Sequence, residues 1–197
     1  MKRHPGIAAA CLAALLAGCG SSPPATFYTL RSGSEAQTST STASYSVVVG
    51  PLTVPDLIDR PQLVLSNAGN QVTVAEQVRW AAPLRTEIPR VIASNIANTL
   101  KDARVSAYPQ SADANADFVV SVDIVRFDSA LGDAATLEAL WSVRARKGAP
   151  EKNGRAVVQE KTRGSGYAEL VAAHQRALSA LSLEIAEAIR PVNAVSR

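Results

Sequence analysis

Apolar and polar positions along this chain follow two periods, and each predicts a different element. From Tyr167 to Ala188 one stripe recurs at steps of four and three: Tyr167, Val171, His174, Leu178, Leu181, Ile185 and Ala188. Side chains at that spacing share one face of a helix, and Pro191 marks its expected end. A second stripe, Leu84, Ile88, Val91, Ile92, Ile96 and Leu100, predicts a helix from about Pro83. Pro89 falls inside it, so its first turns are expected to be kinked or irregular. The other solution starts the regular helix at Thr86 as N-cap, where the missing N–H of Pro89 costs nothing.

Between and before these stripes the pattern is that of strands. Val47-Val48-Val49, followed by Leu52 and Val54, predicts a strand over Tyr45 to Val54 buried on both faces. Gln62–Ser66 and Gln71–Val74 read as short strands around a four-residue loop, Asn67-Ala68-Gly69-Asn70. Glu76 to Trp80 reads as the approach to the first helix, and Val105 to Tyr108 as another short strand. Asp117–Asp128, Thr136–Arg146 and Arg155–Arg163 alternate or carry one polar face. With the loop Lys147–Gly154 they predict a three-strand meander. The fold class is therefore α+β: an antiparallel sheet of about five strands with two long amphipathic helices packed on one face.

The first residues follow neither period. Lys2, Arg3 and His4 precede an apolar, small-residue run from Ile7 to Gly18, about as long as the core of a signal peptide and too short to span a bilayer. It ends in Leu16-Ala17-Gly18-Cys19, which reads as a lipobox: small residues beside the scissile bond, then a thiol that takes a diacylglyceryl group. Each buried CH₂ contributes roughly 0.8 kcal/mol, so two or more acyl chains anchor stably. Gly20, rather than Asp, follows the cysteine, which favours the outer membrane over retention at the inner one. The expected organisation is a signal peptide over residues 1–18; then, over 19–44, the acylated N-terminus, a strand-like Phe27-Tyr28-Thr29-Leu30 and a Ser/Thr-rich linker. A single domain over 45–191 and a tail over 192–197 complete it. Arg31–Ser44 is a loop within the fold if Phe27–Leu30 pairs into the domain, and a stalk if it does not.

Composition removes most catalytic classes. Loss of Lys2 and Arg3 with the leader lowers the formal charge from +3 to +1, and no basic block suggests nucleic-acid binding. Of the two cysteines, Cys11 leaves with the leader and Cys19 carries lipid, so no disulfide supports the domain. The one remaining histidine, His174, sits on the apolar stripe of the last helix and reads as a packed core residue. Neither a metal site nor a phosphate loop has the residues it needs, and Asp56, Asp59 and Glu76 show no acid–base logic. No catalytic residue, metal or cofactor is expected beyond the covalent lipid on Cys19.

Three stretches carry a resemblance: Val49-Gly50-Pro51-Leu52-Thr53-Val54-Pro55, Leu57-Ile58-Asp59-Arg60-Pro61-Gln62-Leu63-Val64, and Gln77-Val78-Arg79-Trp80-Ala81-Ala82-Pro83-Leu84. In that order and spacing the chain resembles the ABC-type transport auxiliary lipoprotein family, with Phe27–Leu30 and the final Leu170-Val171-Ala172-Ala173 helix also in keeping. It departs in the long Ser/Thr segment before Tyr45 and in Ala82, where the family often has an acidic residue. The resemblance implies an outer-membrane lipoprotein facing the periplasm. Such a protein works with an MCE-domain protein or an ABC transporter permease/ATPase complex that moves lipid between membranes, docking by self-association or by receiving a trans-envelope partner. It brings no catalytic residues. Asp59, Arg60, Gln62, Arg79 and Trp80 are the candidate partner contacts, with structural roles for Trp80, Pro61 and the Asp59–Arg60 loop as the plainer alternative. Two other roles remain open: assembly of an outer-membrane β-barrel, and activation of a periplasmic cell-wall enzyme.

Overall fold

A computed structural model describes residues 23–32, 43–108, 115–146 and 150–195. The expected leader, Cys19, most of the Ser/Thr-rich segment and part of the Lys147–Gly154 loop lie outside these. In chain order the elements are β1 (Thr26–Tyr28), β2 (Tyr45–Thr53), β3 (Gln62–Ser66), β4 (Val72–Trp80), α1 (Leu84–Thr99), β5 (Ala103–Ala107), β6 (Phe118–Ala130), β7 (Ala134–Ala145), β8 (Lys152–Lys161) and α2 (Tyr167–Val195). They form an α+β domain with two sheets, one of five strands ordered β5–β2–β6–β7–β8 and one of three ordered β1–β4–β3.

The larger sheet is mixed rather than antiparallel, which corrects the expectation. The meander β6–β7–β8 is antiparallel as its short connections require, whereas β2 runs parallel to both of its neighbours, β5 and β6. The chain between β2 and β5 contains β3, β4 and α1, and a connection that long, carrying a helix, returns the chain in the same direction. The continuous apolar run of β2 fits this position: Ser46, Val47, Val48, Val49 and Gly50 are all buried. Asp117 fastens the start of β2 to the start of β6 by accepting hydrogen bonds from Ser46 N and Oγ, both at 2.8 Å. Those two donors hold its carboxyl below the usual aspartate range.

A second correction concerns Glu76–Trp80, which is the far half of β4 and reaches α1 only through Ala81–Pro83. Its far half pairs with β1, parallel and distant in sequence (Thr26 with Val78, Tyr28 with Trp80), so no local pattern announces it. Because β1 pairs into the fold, Arg31–Ser44 connects two of its strands. The β3–β4 turn has positive φ at Gly69 and Asn70, as a loop of that composition allows.

Helix α1 begins after Pro83 and runs unbroken through Pro89. Proline there withholds a hydrogen bond from the Arg85 carbonyl, while its ring is buried. The assigned span of α2 likewise passes Pro191, which the sequence placed beyond its end. Both helices join one core with the inward side chains of the larger sheet: Val47, Val49, Val120, Val122, Ile124, Leu137, Ala139 and Val143 from the strands, Ile88, Ile92 and Ile96 from α1, and Leu178, Leu181 and Ile185 from α2. Asn95 Nδ2 donates to Ser179 Oγ (3.3 Å) and Ser182 Oγ (3.4 Å), fixing how the two helices align. In β6 the register slips between Ile124 and Arg126, so Val125 and Arg126 both face outward and burial resumes at Phe127 and Ser129.

That slip aims Phe127 at the joint between the two sheets and α2. Phe127 stacks on His174 at 3.9 Å and 15°, and Trp80, from the end of β4, meets both rings edge-on at 6.3 Å. His174 is wholly buried, as the stripe suggests. Its Nε2 pairs with Ser129 Oγ at 2.8 Å, and its Nδ1 has no partner among the described residues. Burial lowers its pKa from 6.5 to about 3. On the neighbouring strands Trp141 lies across Gly154, where an added Cβ would sit 2.4 Å from the indole, and its Nε1 donates to Glu184 at 3.0 Å.

Two outcomes follow from this packing. The unfolded chain binds more protons than the folded one between the two His174 values, so stability is complete above about pH 6.5 and falls as the pH drops through that window. Chemical denaturation at pH 7 and pH 5 is expected to show a loss of about 2 kcal/mol from this group. His174→Gln should remove that pH dependence whatever its own stability; an undiminished loss in the variant contradicts the assignment. Gly154→Ala is expected to cost about 1–3 kcal/mol by overpacking against Trp141, read as a lowered denaturation midpoint at unchanged slope. An unchanged midpoint would mean that the ring moves aside freely.

Candidate functional site

The candidate residues Asp59, Arg60, Gln62, Arg79 and Trp80 come together at one corner of the three-stranded sheet, where the ends of β1 and β4 meet the start of β3. The loop before β3 is a tight turn, with Ile58 N and Asp59 N both bonded to the Pro55 carbonyl (3.1 and 3.2 Å). It leads through Arg60 and Pro61 into the strand. Trp80 N donates to the Pro61 carbonyl and Ala81 N to the Tyr28 carbonyl, each at 2.7 Å, so the end of β4 is held between its two neighbours.

Side chains on this corner separate by face. Trp80 points inward, is 5% exposed and belongs to the aromatic joint. Arg79 pairs in register with Phe27 on one side and Gln62 on the other, and paired residues share a face. Phe27, Arg79 and Gln62 therefore form an outward rung. Its two polar members are tied to Glu76: Gln62 Nε2 donates to the Glu76 carboxylate at 3.5 Å, and Arg79 Nε to the Glu76 carbonyl at 3.2 Å. Asp59 is engaged away from the rung, accepting from Arg85 Nε at 3.1 Å in an ion pair at the first turn of α1. With Arg85 mostly exposed, that pair contributes about 0–1 kcal/mol and chiefly positions the loop. Arg60 is exposed, and its guanidinium has no partner among the described residues.

Two features of the corner escaped the sequence reading. Phe27, assigned only to a strand-like stretch, is 61% exposed beside Arg79. Glu87 is a buried carboxylate on α1 that accepts from Thr29 Oγ1 (2.7 Å) and Leu30 N (3.2 Å), clamping the segment after β1. A signal for Glu87 was present, since it falls on the apolar stripe between Leu84 and Val91, where an acid needs partners. Its partners lie 57 and 58 residues away, which no local pattern reveals. Cys19 lies outside the described residues, four positions before the first of them. Among the described residues no helix is long and apolar enough to cross a membrane.

The fold has counterparts among solved structures. It is similar to a crystal structure of an uncharacterized protein at TM-score 0.70 and 18% identity, covering 85% of this chain and 99% of that one. It is also similar to the crystal structure of protein XCC0632 from Xanthomonas campestris, family DUF330, at TM-score 0.63 and 17% identity, covering 81% and 92%. At these identities the likeness shows a shared fold. No curated protein matches the chain. The profile of the ABC-type transport auxiliary lipoprotein component matches residues 28–186, from the end of β1 to the last turns of α2. The chain belongs to the ABC-type transport auxiliary lipoprotein family.

Proposed function

We propose that this protein is a non-catalytic docking component of an intermembrane lipid transport system, anchored through acylated Cys19 in the outer membrane and facing the periplasm. Its partner is an MCE-domain protein or the permease/ATPase complex of an ABC transporter, and its role supports envelope integrity. The observation that carries this reading is the family match across both sheets and both helices. The lipobox supplies the anchor, and Gly20 after the cysteine favours the outer membrane. The remaining histidine is sealed in the core and held neutral by burial, which supports a packing role over acid–base chemistry.

A rigid domain on a short lipid tether suits docking, because the tether confines it near the membrane and raises its effective concentration toward anything that reaches that surface. Cys19→Ser in the full chain should move the protein from the membrane pellet to the soluble periplasmic fraction. Crosslinked pull-down of the acylated protein from its own envelope, with mass spectrometry, should recover an MCE protein or an ABC permease. Recovery of only a β-barrel or a peptidoglycan synthase would overturn the transport role while leaving the anchor standing.

A further inference from the structure

We propose that the outward rung Phe27–Arg79–Gln62, with Arg60 beside it, rests on the phospholipid headgroup surface of the membrane that holds the anchor. The corner nominated for a protein partner would then face lipid. This rests on Cys19 as the point of attachment. The tether from Cys19 to Thr26 spans seven residues, which fully extended reach at most ~25 Å. A domain of about 150 residues has a radius of gyration near 15 Å, hence a diameter of roughly 38 Å. The tether is too short to carry its own attachment point to the far side of the domain, so the face opposite β1 cannot lie against the bilayer and the surface around β1 is the one the tether favours.

The chemistry of that surface fits an interface. Phe27 projects an apolar ring into solvent at the strand where the tether ends, and aromatic side chains settle at the boundary between headgroups and acyl chains. Arg79 lies beside it on β4, and exposed Arg60 precedes β3 at the other end of the rung, both with guanidinium groups suited to phosphate oxygens. Of the acids nearby, Glu76 receives Gln62 and Asp59 is paired with Arg85, while Asp56 is exposed earlier in the same loop. The rung is also held rigidly, because the residues after β1 are bound to buried Glu87. A fixed ring loses little conformational freedom on entering the interface.

The test places a tryptophan on the rung and measures its quenching by lipid. Removal of residues 1–18 leaves Cys19 as the sole thiol, so the chain from Cys19 can be coupled through maleimide to headgroups of phosphatidylethanolamine–phosphatidylglycerol vesicles with brominated acyl chains. Phe27→Trp should show quenching and a blue-shifted emission beyond the background of buried Trp80 and Trp141. Val157→Trp, 59% exposed on the sheet face turned away from the helices, should not. Arg60→Glu in the Phe27→Trp background should weaken the quenching. Quenching of the Val157→Trp probe instead, of both probes, or of neither overturns the proposal, since each means that the rung is not the face held at the bilayer. Mass spectrometry of the native N-terminus tests the anchor separately: an unacylated Cys19 overturns the anchoring on which this proposal rests, and the proposal with it, whereas an acylated Cys19 with an unquenched Phe27→Trp probe overturns the surface assignment alone.

Discussion

The meeting of Trp80, Phe127 and His174 holds the two sheets and the long helix in one body. Each ring comes from a different unit: Trp80 from the end of the small sheet, Phe127 from the large sheet, His174 from α2. The slip in β6 after Ile124 makes the contact available, because uninterrupted alternation would turn residue 127 outward. The stacking is compatible with a neutral imidazole, and complete burial enforces that state. Ser129 satisfies one ring nitrogen, and the other has no partner among the described residues. A buried polar group of this kind costs stability relative to a hydrocarbon of the same shape. In return it gives the joint a single orientation, because only one edge of the ring finds a hydroxyl.

Much of the frame was legible in the sequence, and what was not follows a physical pattern. Both helices, β2, β3 and the meander β6–β7–β8 announce themselves because their signals are local: a 3.6-residue stripe, a period of two, a short connection. The parallel pairs of β2 and the β1–β4 pair join residues far apart in sequence, and nothing in either strand alone specifies its partner. The far half of β4 was misread for the same reason, since Glu76, Gln77 and Arg79 break the alternation that would mark a strand. Within the candidate corner the sequence named residues that the fold brings together, but not their division into faces. Trp80 and Arg79 are adjacent residues, and the strand sends one into the core and the other outward.

The N-terminal strand has an importance out of proportion to its three residues. It is the first element among the described residues, so under the proposed anchoring at Cys19 any force transmitted through a lipid tether would reach the domain there. A short edge strand held only by its ladder would fray under such a load. Here the ladder is parallel to β4 and is followed at once by the Thr29 and Leu30 bonds to Glu87, so the load passes into α1 as well as into the sheet. Burying a carboxylate is costly unless its oxygens are matched, and both oxygens of Glu87 are. That cost is accounted for if the clamp keeps β1 docked, since losing it would lengthen the tether by the residues of the strand and free the domain to turn. Under the proposed anchoring at Cys19, the short tether, the clamped strand and the exposed Phe27 would act toward one end, favouring the β1 side of the domain as the face nearest to the membrane.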